Sequence, residues 1–465
     1  MTLPTHALHA SALDPELLAA VASTTPGASD WRIEILHEEE AQLYVIGDHV
    51  EARRTVANER ARLAVYNDHA PKDPDAGSVA RGVTGLTLLA ADVADPTHLA
   101  ARLREAVTVA GLTDNPPFPL PTMPADGYPS VVTVDPVLAG DLAAPLDETM
   151  ARLEAAVAEQ DGVRLSSAEL YATRASRSLR NSHGLTAAGR GTGVMLDFVL
   201  IASESGREAE MHGEFERRRL ADLNVEALIK LYASYARHSL RATAPTTHRG
   251  PVVISGAAVA ELFNQRLEFG GGPFRLHASA EAAYQHISQF EPGAFISREE
   301  PRGDRLTVLS DPLRPFGTQS YAFDAEGLPA RRLTIIENGV FTHRWADTRY
   351  AAYLGIEATG AFANITIVPG TTPLRALRDV SAGPIYEVSA FSFFNPDPIS
   401  GDFVVEIKLG YRHDERGTQP IKGGSLSGNL FAAFGDAHFS AETYTDGAYL
   451  GPAAIRFGDL SISGS

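Results

Sequence analysis

Two short segments combine histidine with carboxylate side chains and have the residue types of a metal site. His37 is followed by the glutamates at 38–40, and His212 lies two residues before Glu214. Hydrolytic zinc needs several imidazole, carboxylate or thiolate ligands that converge on the metal, and an open position for water. Residues 41–42 do not continue a zinc-binding helix, so we interpret 37–40 as a solvated turn. The second segment has no third ligand nearby in the sequence, and we interpret it as an exposed loop.

An amide, a hydroxyl and an imidazole follow one another at Asn181, Ser182 and His183, just before Gly184. Asn and Gly tolerate left-handed backbone angles, so the sequence predicts a turn from which the Ser and His side chains point outward. Such a turn can also present its polar groups to a substrate groove or to a protein interface. Both interpretations stay open, and the three polar residues are kept as candidate groove or interface residues.

The composition of the 465-residue chain excludes several classes of site and partner. The chain contains no Cys, so disulfides, thiolate-bound zinc and a cysteine nucleophile are excluded. The formal net charge of −18 argues against nucleic-acid binding, which needs a basic surface. No apolar run reaches the ~20 residues of a membrane-spanning helix, and the first twelve residues lack the pattern of a secretory signal. We therefore expect a cytoplasmic protein that binds neither nucleic acid nor membrane.

Hydrophobic periodicity in the first half of the chain predicts strands that alternate with helices. Helices are expected to begin near Asp95 and at Asp147, and a third carries an apolar stripe from Val225 to Ala236. A long antiparallel pair is predicted around the turn at 181–184. The expected strands are 31–36, 43–46, 61–66, 86–89, 168–180 and 193–201.

After a polar stretch at 242–249 the sequence becomes mainly β. A strand at 251–255 and a short helix near 257–268 are followed by short strands and Gly-containing turns. Asn338-Gly339 predicts a type I′ hairpin, because both residues tolerate positive φ. Many short strands with few helices indicate a barrel-like sheet. We therefore predict an α+β protein with an N-terminal α/β domain at residues 1–245 and a mainly β, barrel-like C-terminal domain at 250–465.

Five separated blocks of sequence occur in the order in which a known family carries them. Each block alone is short enough to arise by chance, whereas their shared order from about residue 31 to the end is specific. On these blocks the chain resembles the TldD/PmbA family, and within it the TldE/PmbA-like branch. The blocks are 181–185, 251–255, 320–355, 359–370 and 400–430.

The resemblance implies an activity and a partner. TldD-like members are metallopeptidases with a His-Glu-x-x-x-His helix and a distant Cys ligand in the C-terminal domain. TldE/PmbA-like members lack these zinc ligands and pair with a TldD-like chain. The complexes are associated with peptide maturation and cleavage, and with natural-product pathways. A heterodimer acting on a peptide or an amide-bearing intermediate is therefore implied, and a homodimer is left open.

The expected position of the zinc-binding helix carries other residues in this chain. Counting forward without gaps, Asn264 replaces the first His, Gln265 the Glu and Phe269 the second His. No His occurs between His248 and His277, and the distant Cys is missing as well. We interpret the three residues as degenerate active-site positions. The resemblance then implies that this chain holds no catalytic residue, no metal and no cofactor, and that zinc is held by the TldD-like partner.

Three functional hypotheses follow. The first is a non-catalytic, TldE-like subunit of a zinc metallopeptidase or amide hydrolase complex. The second is an independent amide hydrolase or transferase that uses Asn264, Gln265 or the turn at Asn181. The third is a homodimeric binding protein without catalysis. Co-purification separates the first from the others, because only the first requires a TldD-like chain.

Overall fold

The chain folds as a mixed α+β protein, with 40% of residues in strands and 23% in helices. The structure is a computed structural model and describes residues 13–464 except 74, 76 and 264–270. It contains a closed β-barrel and a half-barrel. The predicted fold class, with a barrel in the C-terminal part, is confirmed. The division into domains at 245–250 stays a prediction.

The first part of the chain is built on one antiparallel sheet, with strand order β3-β2-β1-β4-β5-β6 in the described residues. The helices α4 and α5 cover one face of this sheet, where alternate residues such as Leu196, Phe198 and Leu200 are buried. The elements are α1 (Pro15–Thr24), β1 (Asp30–Ile46), β2 (His49–His69), β3 (Ala80–Leu88), α2 (Ala90–Val93), α3 (Pro96–Ala110), α4 (Ala143–Ala158), β4 (Val163–Asn181), β5 (Thr186–Glu204), β6 (Arg207–Arg217) and α5 (Val225–Arg241).

Local capping explains where two of these helices begin. The Asp95 side chain accepts the Thr97 N–H ahead of Pro96, as predicted. The Asn224 side chain caps α5. The prediction that Asp147 caps a helix is wrong, because α4 begins at Ala143, four residues earlier. Asp147 instead lies inside α4 and forms an ion pair with Arg53 on β2.

The predicted turn at 37–40 is also wrong. The expected strands 31–36 and 43–46 are parts of one strand, β1, which pairs with β2 on one side and with β4 on the other. The three consecutive glutamates are only half-buried in the strand, and Glu39 also meets basic groups. Glu39 accepts hydrogen bonds from the Arg174 guanidinium on β4, and His37 contacts Glu39 at 3.2 Å.

The second part of the chain contains a short-stranded sheet, in the order β10-β9-β8-β11-β18-β17, and a barrel sheet. Its elements are β7 (His248–Ser255), α6 (Ala257–Phe263), α7 (Gly272–His277), α8 (Ala280–Tyr284), β8 (Val308–Ser310), β9 (Leu333–Glu337), β10 (Val340–Phe341), α9 (Thr348–Leu354), β11 (Ile365–Ile367), α10 (Leu374–Leu377), β12 (Ile385–Phe391), β13 (Asp402–Asp414), β14 (Gly417–Ile421), β15 (Ser425–Asn429), α11 (Leu430–Ala433), β16 (Ala437–Phe439), β17 (Thr443–Asp446), β18 (Tyr449–Pro452) and β19 (Ala454–Ser463).

The barrel closes through strand pairings that return to their starting point. β12 pairs with β7, β7 with β19, β19 with β15, β15 with β13, and β13 again with β12. Closure removes the edges that an open sheet would expose. The large core beside it includes Ile254, Val388, Ile407 and Phe457. Among the described residues, no helix is both long and apolar enough to cross a bilayer.

Candidate functional site

The short helix α6 marks the place where the sequence predicts the degenerate active site. It packs against β7, β12, β17 and β18, and β17 in turn contacts β6 of the first sheet. The chain continues from α6 into residues 264–270. Asn264, Gln265 and Phe269 lie in that segment and so lie outside the described residues. The described neighbours of α6 define the surroundings of the site.

An ion pair joins the two parts of the chain beside α6. Arg217 Nη1 on β6 donates to Asp446 Oδ1 on β17 at 2.6 Å, and the Tyr444 hydroxyl lies 3.5 Å from the other carboxylate oxygen. Burial raises the pKa of the Asp446 carboxyl, and the Arg217 guanidinium opposes that rise. Glu214 on β6 adds a further negative charge that raises the pKa of Asp446. We call the region where β6, α5, α6 and β17 meet the polar seam.

Two tyrosines of α5 line the polar seam. Burial raises the pKa of Tyr232, and the charges of Asp446 and Glu261 raise it further. Burial likewise raises the pKa of Tyr235, whose hydroxyl forms a hydrogen bond with Ser389. Both phenols therefore stay protonated at neutral pH, where they donate hydrogen bonds but cannot act as bases. The polar seam therefore contains protonated phenols and a carboxylate that is paired with Arg217.

A buried carboxylate lies further along the barrel. Glu387 on β12 accepts hydrogen bonds from Ser255 Oγ at 2.6 Å, Arg378 Nη2 at 2.6 Å and His413 Nε2 at 2.8 Å. Burial alone would raise its pKa, but the hydrogen bonds outweigh burial and bring the pKa to about 2. The carboxylate is therefore ionised and fully engaged, which suits a structural anchor. No motif pointed to it, because its three partners lie on separate segments of the chain.

The turn at 181–184 forms as predicted, and its polar groups bind the protein itself. Asn181 is buried, and its side-chain oxygen accepts the N–H groups of His183 and Leu185. Ser182 Oγ donates to Asp30 Oδ1 at 2.6 Å, and His183 Nε2 lies 2.9 Å from the same oxygen. These contacts account for the turn without a ligand. A groove or interface role for Asn181, Ser182 and His183 stays a prediction.

A cluster of possible metal ligands lies on the outer face of β5 and β6. His212 and Glu214 belong to strand β6, so the interpretation of this segment as a loop is wrong. Asp197 on β5 pairs with Glu214 in the strand register, and His212 Nε2 lies 2.7 Å from Asp197 Oδ2. One ligand atom from each of the three residues lies within 4.8 Å of the other two. The sequence reasoning missed Asp197 because it looked for a third ligand only nearby in the chain.

The zinc that the resemblance implies does not fit the residues at its expected position. Neutral amides of Asn264 and Gln265 are poor zinc ligands, and Phe269 offers no ligand atom. A thiolate ligand is excluded because the chain has no Cys. These residues therefore supply neither the ligands nor the general base of a zinc hydrolase.

Comparisons with known proteins agree with the fold. Residues 247–464 match the family described as the PmbA/TldA metallopeptidase C-terminal domain. The zinc metalloprotease TldD homolog of Saccharolobus solfataricus is 27% identical over 29% of this chain and 34% of its own length. The metalloprotease PmbA of Escherichia coli O157:H7 is 28% identical over 39% of this chain and 38% of its own length. An uncharacterized protein of Methanocaldococcus jannaschii is 25% identical over 35% of this chain and 41% of its own length. The matched segments thus span well under half of these relatives.

Solved structures cover the whole fold at low identity. TldE from Thermococcus kodakarensis superposes with a TM-score of 0.77 at 17% identity, covering 97% of this chain and 99% of that one. A candidate modulator of a DNA gyrase from Thermotoga maritima superposes with a TM-score of 0.78 at 16% identity. The superposition covers 96% of this chain and 98% of that one. The comparisons therefore support the TldD/PmbA/TldE family for this chain through residues 247–464, and the whole chain has the metallopeptidase-like fold of these structures.

Proposed function

We propose that this chain is the non-catalytic, TldE-like subunit of a complex whose zinc is held by a TldD-like chain. The observation that carries the proposal is the donor set at residues 264–269, where Asn264, Gln265 and Phe269 stand in place of two His and a Glu. Hydrolysis of an amide needs an activated water and a group that stabilises the developing oxyanion. A side-chain amide donates a hydrogen bond but cannot act as a base.

The surroundings of α6 support a role in substrate binding. Tyr235, which is half-buried, offers a protonated hydroxyl, and the carboxylate of Asp446 is already paired with Arg217. These groups recognise amide N–H and C=O groups without attacking them. We propose that the polar seam helps to shape the substrate channel of the complex, and that the substrate is a peptide or an amide-bearing natural-product intermediate.

Reconstitution with a TldD-like partner tests this proposal. The chain alone should hydrolyse no peptide or amide. The mixed complex should be active, and its activity should depend wholly on the partner's His-Glu-x-x-x-His motif. Asn264→Ala and Gln265→Ala in this chain should change the activity of the complex by no more than a few-fold, because neither amide performs chemistry.

Two outcomes would contradict the proposal. One is activity of the chain without any partner. The other is a complex that stays active when the partner's His pair is removed and becomes inactive with Asn264→Ala or Gln265→Ala. Either result would make this chain the catalyst and would favour an independent amide hydrolase or transferase.

A further inference from the structure

Three side chains on one face of the first sheet have the composition of a cation site. His212 and Glu214 are two residues apart on β6, so both point to the same face of the sheet. Asp197 projects from the neighbouring strand β5 directly opposite Glu214. The antiparallel ladder therefore supplies one imidazole and two carboxylates from two adjacent strands, with one ligand atom of each within 4.8 Å of the others.

The backbone that carries these ligands is held rigidly from behind. Gly213 lies between His212 and Glu214 and faces the core, where a Cβ atom would come within 2.9 Å of the rings of Phe198 and Tyr232. The Tyr232 ring packs edge-on against Phe198 with 5.3 Å between centroids. This close packing fixes β6 against α5. The ligands are thus mounted on a strand whose position is set by the core.

The electrostatics of this face favour a bound cation. Glu208, Glu210 and Glu216 lie on the same face of β6 as the ligands. Lys408 contacts Glu210 at 3.7 Å and Arg164 contacts Glu208 at 3.6 Å, and these two pairs neutralise part of the charge. Glu214 also repels the buried carboxylate of Asp446. A divalent cation among the three ligands would offset this concentration of negative charge.

We propose that Asp197, His212 and Glu214 bind one divalent transition-metal cation of the Zn²⁺, Co²⁺ or Mn²⁺ class. Ligand atoms bound to one such metal at about 2.1 Å lie roughly 3 to 4 Å apart, which small side-chain rotations achieve here. The imidazole distinguishes the set from an acidic patch and favours transition metals over Mg²⁺ and Ca²⁺. The site lies outside the degenerate positions at 264–269 and does not rest on the proposed function. It departs from the expectation that the chain holds no metal, because the sheet brings in Asp197.

Equilibrium dialysis of the purified chain alone tests the site, with Co²⁺ and Zn²⁺ as the probes and Mg²⁺ as the comparison. We expect one Co²⁺ per chain, with a visible absorption band that Zn²⁺ displaces and Mg²⁺ does not. His212→Ala, Asp197→Asn and Glu214→Gln should each weaken Co²⁺ binding by at least about tenfold. Circular dichroism would establish that each variant is folded. Because no partner is present, this result is independent of the reconstitution experiment.

His37→Ala is the matched control. His37 also contacts a carboxylate across a short distance, 3.2 Å to Glu39, but Glu39 is occupied by Arg174. Removing His37 should leave Co²⁺ binding unchanged. The proposal is overturned if no Co²⁺ is retained at micromolar concentration. It is also overturned if His37→Ala weakens binding as much as His212→Ala does, or if Mg²⁺ competes equally, since either result indicates non-specific attraction to the acidic face.

Discussion

At Glu387, burial and hydrogen bonding act in opposite directions on one carboxylate. The side chain is only 2% exposed, and three donors hold its pKa at about 2 against the desolvation that would raise it. A pKa lower in the folded than in the unfolded state stabilises the fold when the carboxyl is ionised. This contribution is fully present above the ordinary Glu value of 4.5 and is lost as pH falls towards about 2. The shift corresponds to about 3 kcal/mol.

Glu387→Gln should therefore lower the free energy of unfolding at pH 7 by about 3 kcal/mol, because Arg378 and His413 would face a neutral amide. The difference between wild type and variant should shrink as pH falls from about 4.5 towards 2. Urea unfolding between pH 7 and pH 3 measures both effects. Glu226→Gln is the control, since Glu226 also has a pKa of about 2 through its pair with Arg152, but on the surface. Solvent screening should keep its effect within about 1 kcal/mol. A Glu387→Gln effect that does not change with pH would contradict the lowered pKa of Glu387 in the folded state.

Residue-level prediction from the sequence succeeded where the physics is local. Asn338 and Gly339 have φ values of 51° and 83°, as the predicted type I′ turn requires. In the turn at 181–184, Gly184 has a positive φ of 79°, whereas Asn181 stabilises the turn through its side-chain oxygen. Asp446 and Glu387 were missed because each has a main partner far away in the sequence, Arg217 for Asp446 and Ser255 for Glu387, and no spacing rule connects such pairs.

At the scale of elements, strand pairing across the sheet determines boundaries that hydrophobic periodicity alone does not predict. The segment at 37–40 has polar residues that locally favour a turn, yet β1 runs through it because β2 and β4 hydrogen-bond to both of its edges. The start of α4 was misplaced because its N-cap residue, Leu142, has no capping side chain, and the Asp141 carboxylate accepts the Ala143 N–H from one residue earlier. Asp147, inside the helix, has the residue type of a cap. The long pair of β4 and β5 was predicted correctly because the turn and the alternation agree.

Gly213 gives a test of how tightly β6 is held. Gly213→Ala should lower the free energy of unfolding by about 1–3 kcal/mol, because the new methyl group would press on the Phe198 and Tyr232 rings at 2.9 Å. Gly85→Ala on β3 is the matched control, since its Cβ would meet nothing within 4 Å. That substitution should be neutral or stabilise by less than about 1 kcal/mol. Equal denaturant midpoints for the two variants would show that β6 can move to accommodate the new methyl group. The strand would then not hold the proposed metal ligands rigidly.

At the scale of the whole molecule, half-buried arginines connect the two parts of the chain. Arg218, next to the ion-paired Arg217, donates to the carbonyl oxygens of Gly317, Thr318 and Ser320. Arg177 donates to the carbonyls of Phe323 and Asp324. Guanidinium groups suit this task because their planar fork satisfies several acceptors at once. The first sheet is thereby fixed against the segment at 317–324, and the polar seam keeps its shape.

The assembly of the molecule follows from its sheet edges and its charge. Closure protects the barrel, but β3 and β6 border the first sheet, and β10 and β17 border the second, in the described part of the chain. Open edges are commonly covered by a further chain. A net charge of −18 opposes self-association at low ionic strength, whereas a less acidic chain would not be repelled in this way.

We therefore predict that the chain forms a stable dimer with a large apolar interface, and that it prefers a TldD-like partner to a second copy of itself. Sedimentation velocity at micromolar concentration is the measurement. With the partner, a heterodimer should form at low salt and persist at 0.5 M NaCl, because apolar burial is not screened. Alone, the chain should move from its monomer mass of 49.7 kDa towards twice that value as salt weakens the repulsion between copies. A monomer that neither salt nor a TldD-like chain alters would refute this prediction. It would mean that the proposed substrate channel is completed within a single chain.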